Sequence, residues 1–157
     1  KSKKMALTLD MKYMVRSLAS GGAYNYAAST GLPSILVERG CMGLCPRFDV
    51  EAYKKDLLRL MHGLGMTENE PEPQQFVPKD MRNMKYLEAP RSGCWLEEAE
   101  CGAVIKKGEP LGRLRGFFGE DETVFSAEYT GVLLYSCSAF AAPEGVVLAA
   151  YGVPDAE

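Results

Sequence analysis

Two adjacent residues carry the chemistry that this sequence offers most directly. In "GLPSILVERG" (Gly31 to Gly40) a short apolar run stops on a carboxylate, Glu38, followed by Arg39 and a glycine. A carboxylate held at the end of a strand can take a proton from an attacking water and return it to a leaving amine, and open α/β sheets gather their chemistry at such ends. The bland reading of the same pair is a solvated turn or an ion pair to a helix. Arg39 can hold the carboxylate of an acidic substrate in a bidentate contact, but its side chain leaves an extended backbone on the side opposite to Glu38, which favours a structural ion pair. Tyr129 is a third candidate for substrate contact; a core tyrosine with its hydroxyl at the surface fits it equally.

The other chemistry-bearing residues are sparse. The single histidine, His62, falls in the last turn of a helical pattern, where an imidazole favours the negative helix end, and it reads as structural. Five cysteines, Cys41, Cys45, Cys94, Cys101 and Cys137, are an odd number spread through apolar sequence, which suits reduced thiols. A lone Cys41-x3-Cys45 pair is a weak metal signal.

These residues need elements to place them. Leu32, Ile35, Leu36 and Val37 form the nearly continuous apolar run of a central strand covered on both faces. "GGAYNYAASTG" precedes it as a packed helix ended by Gly31. From Val50 to Leu64 the apolar positions Tyr53, Leu57, Leu60, Met61 and Leu64 recur at helical spacing, with Asp49 as N-cap and Gly65 as terminator; this helix is expected to pack on the sheet. "TENEPEPQQFVPKD" (Thr67 to Asp80), with three prolines and no apolar period, reads as a linker.

Beyond the linker the chain repeats itself. Gly93 matches Gly131 at an offset of 38, and Gly108 with Gly145 and Leu111 with Leu148 at 37. Two copies of one β-unit, neither able to bury its apolar face alone, are expected to pack as a small sandwich or flattened barrel. The spacing from Gly102 to Leu111 resembles the barrel-sandwich hybrid of biotinyl and lipoyl carriers. Such a carrier needs a lysine at the hairpin between the copies, and "RLRGFFGEDETVF" (Arg113 to Phe125) has none, which argues against a swinging arm. Phe117 and Phe118 in that hairpin are expected to pack in the core or against the neighbouring domain.

In order along nearly the whole chain, "YNYAASTGLPSILVERGCMG", the helix ending "LMHGLGM", the proline-rich break and "YLEAPRSGCW…VIKKGEPLG" resemble the C-terminal part of the succinylglutamate desuccinylase/aspartoacylase family. The resemblance implies an α+β chain: a partial, zinc carboxypeptidase-like α/β segment over residues 1–75, then an all-β, barrel-sandwich-hybrid-like domain over 76–157. It implies a zinc-dependent hydrolase acting on an amide or ester bond of an N-acylated small molecule, with Glu38 as base and then acid, and Arg39 and Tyr129 as weaker substrate contacts. Zinc is expected in the full-length protein and none on this chain, because the His-x-x-Glu pair and later histidine of the family are not among its residues. The start at Lys1, within structured-looking sequence, reads as a fragment that is inactive alone and either associates with the N-terminal part or forms a homo-oligomer.

Composition limits the other classes. With 46% hydrophobic residues the 157-residue chain can fill a core. A net charge of −3 gives no basic footprint for nucleic acid, and no window reaches the roughly 18 apolar residues of a membrane span. "KSKKMALTLD" lacks the apolar core of a secretory signal, so a cytoplasmic location is expected. A non-catalytic binding or assembly module stays open as the reading from a different class.

Overall fold

A computed structural model describes residues 1–17 and 21–155. The chain is mixed α+β and divides into two compact units, Lys1–Asp80 and Met81–Glu157.

In the first unit, the short helices α1 (Ser2–Ala6) and α2 (Ala23–Ser29) and the strand β1 (Tyr13–Val15) precede a long helix, α3 (Arg47–Gly63). α2 ends as the glycine predicts: Gly31 takes φ +88°, a conformation that costs residues with a Cβ. α3 starts three residues before the expected Val50, behind Pro46, which fixes the entry dihedral but makes no side-chain cap bond. Asp49 therefore lies in the first turn rather than at the cap, where it still faces the positive helix end.

Two expectations fail in this unit. Leu32 to Val37 is not a strand: residues 32–39 have no regular secondary structure, and Leu32 and Leu36 stay 63% and 57% exposed. An apolar run becomes a strand only beside a ladder partner, and before Lys79 the described residues contain only the three-residue β1. Nor does α3 bury its apolar stripe. Leu57, Leu58 and Leu64 are exposed, and the two buried residues of the helix are Asp56 and Arg59.

That buried pair organises the unit. Asp56 Oδ1 accepts the Asp10 N–H at 2.8 Å and Arg59 Nη1 at 3.2 Å, while Oδ2 receives Arg39 Nη2. Arg59 reaches onward to the carbonyls of Glu72 (3.0 Å) and Pro73 (3.2 Å), and the Asp10 carboxylate accepts the N–H groups of Gln75 (2.9 Å) and Phe76 (2.8 Å). The proline-rich stretch thus has no helix or strand up to Lys79, but it is pinned along its length rather than free. The first compact unit includes this stretch and runs to Asp80.

The second unit shows the repeat in three dimensions. β3 (Gly93–Glu97), β4 (Val104–Ile105) and β5 (Pro110–Arg115) are followed, after β6 (Glu122–Ser126), by their counterparts β7 (Gly131–Ser136), β8 (Ala141–Ala142) and β9 (Val147–Pro154). Each short middle strand leaves its own copy for the other: β4 pairs with β7 through Val104–Val132 and Ile105–Gly131, and β8 pairs with β3 through Cys94–Ala141 and Gly93–Ala142. Equivalent turns repeat bond for bond. Gly108 N–H donates to Ala127 O at 2.7 Å and Gly145 N–H to Ala89 O at 2.8 Å, both glycines at φ above +80° or equal to it.

With β2 (Lys79–Glu88), the strands fall into two sheets that run β2-β9-β7-β4 and β6-β5-β3-β8. They share one core, in which Leu111, Leu114, Leu133, Leu148 and Tyr151 are 0% exposed and Trp95 is 3% exposed. The Trp95 ring packs on Gly112, in the space that a Cβ at that position would occupy. Neither sheet closes into a barrel, because the two-residue strands β4 and β8 end their sheets. The β5–β6 hairpin also departs from expectation. Phe118 sits at its tip and is 97% exposed, with Phe117 at 55%, since Gly116 and Glu120 close the turn (N–H to O, 2.9 Å) and leave both rings outside.

Candidate active site

Glu38 lies in the first unit, in the unpaired stretch between α2 and α3, and its side chain is exposed. What fixes it is the backbone on either side. The Tyr53 hydroxyl of α3 accepts the Arg39 N–H at 2.7 Å and donates to the Val37 carbonyl at 3.2 Å. Val37 also lines a hollow of about 120 Å³ together with Leu9, Tyr53, Asp56, Leu57 and Leu60. Arg39 turns toward the same helix through its bond to Asp56, while Glu38 between the two fixed peptides is exposed.

Arg39 takes the structural role. Its guanidinium meets the Asp56 carboxylate and donates to the Asp10 carbonyl at 2.9 Å, with the guanidinium carbon 5.9 Å from the centre of the Tyr53 ring. The Asp56 carboxylate and the Asp10 carbonyl hold the guanidinium through Nη2, while its buried Nε makes no hydrogen bond.

Tyr129 belongs to the second unit, half-buried against the core, its ring centre 4.9 Å from that of Tyr151. Its hydroxyl donates to the carbonyl of Asn83, a residue at φ +51° in an irregularity of β2 between Arg82 and Lys85. Burial pushes the Tyr129 phenol above its ordinary pKa of 10.0, with the neighbouring Tyr151 adding to the rise. Its ring thus packs on the core while its hydroxyl is tied to the β2 backbone.

The metal-ligating types are dispersed. Among the described residues no group of three or more His, Cys, Asp or Glu side chains is placed to hold a metal ion. His62 Nε2 lies 3.9 Å from Glu70 Oε2, and Cys41 and Cys45 are exposed free thiols. A catalytic zinc site does not fit these residues. Among the described residues no helix is long and apolar enough to cross a membrane.

Tyr53 and Asp56 are the residues that sequence reasoning missed. Tyr53 was legible only as a member of the apolar stripe, and Asp56 stands one turn on from it, where a charge beside an apolar stripe could have been the signal.

No protein-family model and no curated protein matches the chain. Solved structures do. The ectoine utilization protein EutE (DoeB) of Ruegeria pomeroyi superposes with a TM-score of 0.81 at 19% identity, over 97% of this chain and 50% of its own. A succinylglutamate desuccinylase from a Silicibacter species gives a TM-score of 0.77 at 19% identity over 98% of this chain and 48% of its own. A succinylglutamate desuccinylase/aspartoacylase from Rhodobacter sphaeroides gives 0.79 at 18% identity, over 99% and 49%. The chain spans about half the length of these structures. In fold, the chain is similar to a portion, about half the length, of proteins named succinylglutamate desuccinylase and aspartoacylase.

Proposed function

We propose that this chain is the C-terminal portion of a hydrolase that cleaves an amide or ester bond of an N-acylated small molecule, in which Glu38 moves the proton. The observation that carries this reading is the fold shared over nearly the whole chain with half of proteins named desuccinylase and aspartoacylase. The exposure of Glu38 on a backbone clamped at both flanking peptides adds to it. As general base, Glu38 takes a proton from the attacking water, and as general acid it delivers one to the leaving amine.

The dependence on zinc belongs to the complete protein in this proposal. Zinc supplies Lewis-acid chemistry in such hydrolases, and its ligands come from outside these residues. The exposed apolar side chains of α3 and of Leu32 and Leu36 are the surface on which the other part of the protein rests.

Elemental analysis and an N-acyl amino acid hydrolysis assay test the reading together. The isolated chain is expected to carry far less than one zinc per molecule and to release no amine. Stoichiometric tight zinc, or turnover by the chain alone, overturns it. A non-catalytic assembly module is the second reading, favoured by the solvent exposure of Glu38; Glu38→Gln in the complete protein separates the two, because a module loses nothing by it.

A further inference from the structure

The stretch that carries Glu38 has no ladder to hold it, yet both peptide groups flanking Glu38 end on one atom. Tyr53 Oη accepts the Arg39 N–H at 2.7 Å and donates to the Val37 carbonyl at 3.2 Å. Three residues along α3, Asp56 holds the Arg39 guanidinium, and Val37 lines a hollow with Leu57 and Leu60. Residues 37 and 39 are thus fastened to the helix by their backbones, Arg39 by its side chain as well, and Glu38 between them stays exposed.

We propose that Tyr53 is a positioning residue: its hydroxyl sets the direction of the Glu38 carboxylate by spanning the two peptides around it. This rests on the reading of Glu38 as the proton-transferring group. A hydroxyl suits the task because it gives one donor and accepts at the same oxygen, matching the carbonyl before Glu38 and the N–H after it. Phenylalanine fills the same space and serves neither.

Tyr53→Phe separates the clamp from the packing. In the isolated chain, amide exchange of Arg39 is expected to accelerate roughly tenfold on loss of this bond, while the α3 amides of Leu57 and Leu60 keep their protection. In the complete protein, kcat is expected to fall roughly tenfold to a hundredfold, because a misplaced base loses its near-attack geometry, with KM little changed. A merely structural tyrosine would instead lower the active fraction and expose the α3 amides together. Unchanged Arg39 exchange in Tyr53→Phe overturns the clamp, and faster exchange with unaltered kcat overturns its positioning role. Full kcat in Glu38→Gln overturns the hydrolase reading of Glu38 itself, a result that the exchange measurement does not depend on.

Discussion

The guanidinium of Arg39 rests on the carboxylate of Asp56, joining the residue after Glu38 to the middle of α3. The Asp56 side chain is 4% exposed and is shared with Arg59, at 6%. Removing the shared carboxylate leaves two guanidinium groups facing each other in a poorly hydrated place, which costs about 3–5 kcal/mol when a buried pair loses one member. Asp56→Ala is therefore expected to lower the denaturation midpoint of the first unit more than Arg39→Ala does, since the latter leaves Asp56 paired with Arg59. Equal midpoints for the two variants in urea would show that Asp56 is not the centre of the network.

Asp10 performs the same service for the chain that leaves the unit. Its carboxylate accepts two successive N–H groups, those of Gln75 and Phe76, and the Lys12 ammonium lies 5.2 Å from the centre of the Phe76 ring. Asp10→Ala is expected to free residues 72–78 while α3 keeps its fold. Limited proteolysis reads this directly: cleavage within that stretch should quicken several-fold, and a rate equal to the wild type would show that Arg59 alone holds it.

The sequence carried some of this plainly and some of it not at all. The glycine and leucine offsets that reveal the repeat are local spacings, and they map onto matched turns at Gly108 and Gly145 and onto matched core positions at Leu111 and Leu148. The strand expected at Leu32 to Val37 did not form, because a ladder needs a partner that local apolarity does not supply. The Asp56 network was hidden by distance: Asp10 and Asp56 are 46 residues apart and meet only in the fold. Phe118 misled because a large apolar residue implies burial only when its backbone is inside, and a hairpin tip is not.

The repeat makes a quantitative claim about the second unit. Leu111 and Leu148 occupy equivalent places, and both are 0% exposed. Leu111→Ala and Leu148→Ala should each destabilise the unit by about 2–5 kcal/mol, as buried leucines do when a cavity replaces them. Because the two side chains belong to one core cluster, the double variant should depart from the sum of the singles. Thermal unfolding of the four proteins checks this, and a near-zero effect at either site would mean that the copies do not contribute alike.

Tyr129 ties stability to pH. Burial holds its phenol above the ordinary 10.0, so the folded state keeps the proton where the unfolded chain begins to lose it. The raised pKa means that this contribution is complete below about pH 10 and drains away as pH climbs through the folded value. Alkaline unfolding should begin in the second unit, and Tyr129→Phe should flatten the alkaline loss while giving up the bond to Asn83 at neutral pH. The phenolate absorbance of wild type minus Tyr129→Phe should titrate above the range of free tyrosine; a midpoint at or below it would refute the assignment.

The last prediction turns on what α3 shows to water. Leu57 is 57% exposed and Leu58 50%, on a helix whose buried residues are charged. Leucines left in this state gain little from the fold they sit on, so replacing them should barely change its stability; exposed substitutions commonly stay within roughly 0.5 kcal/mol. They do, however, provide a surface that gains free energy by leaving water, at about 25 cal/mol per Å² of apolar area. The isolated chain should therefore self-associate with rising concentration in sedimentation velocity, and Leu57→Ser with Leu58→Ser should shift it toward the monomer without moving the urea midpoint of the second unit. If the wild-type chain sediments as a monomer at every concentration, these leucines are not the adhesive surface of this protein.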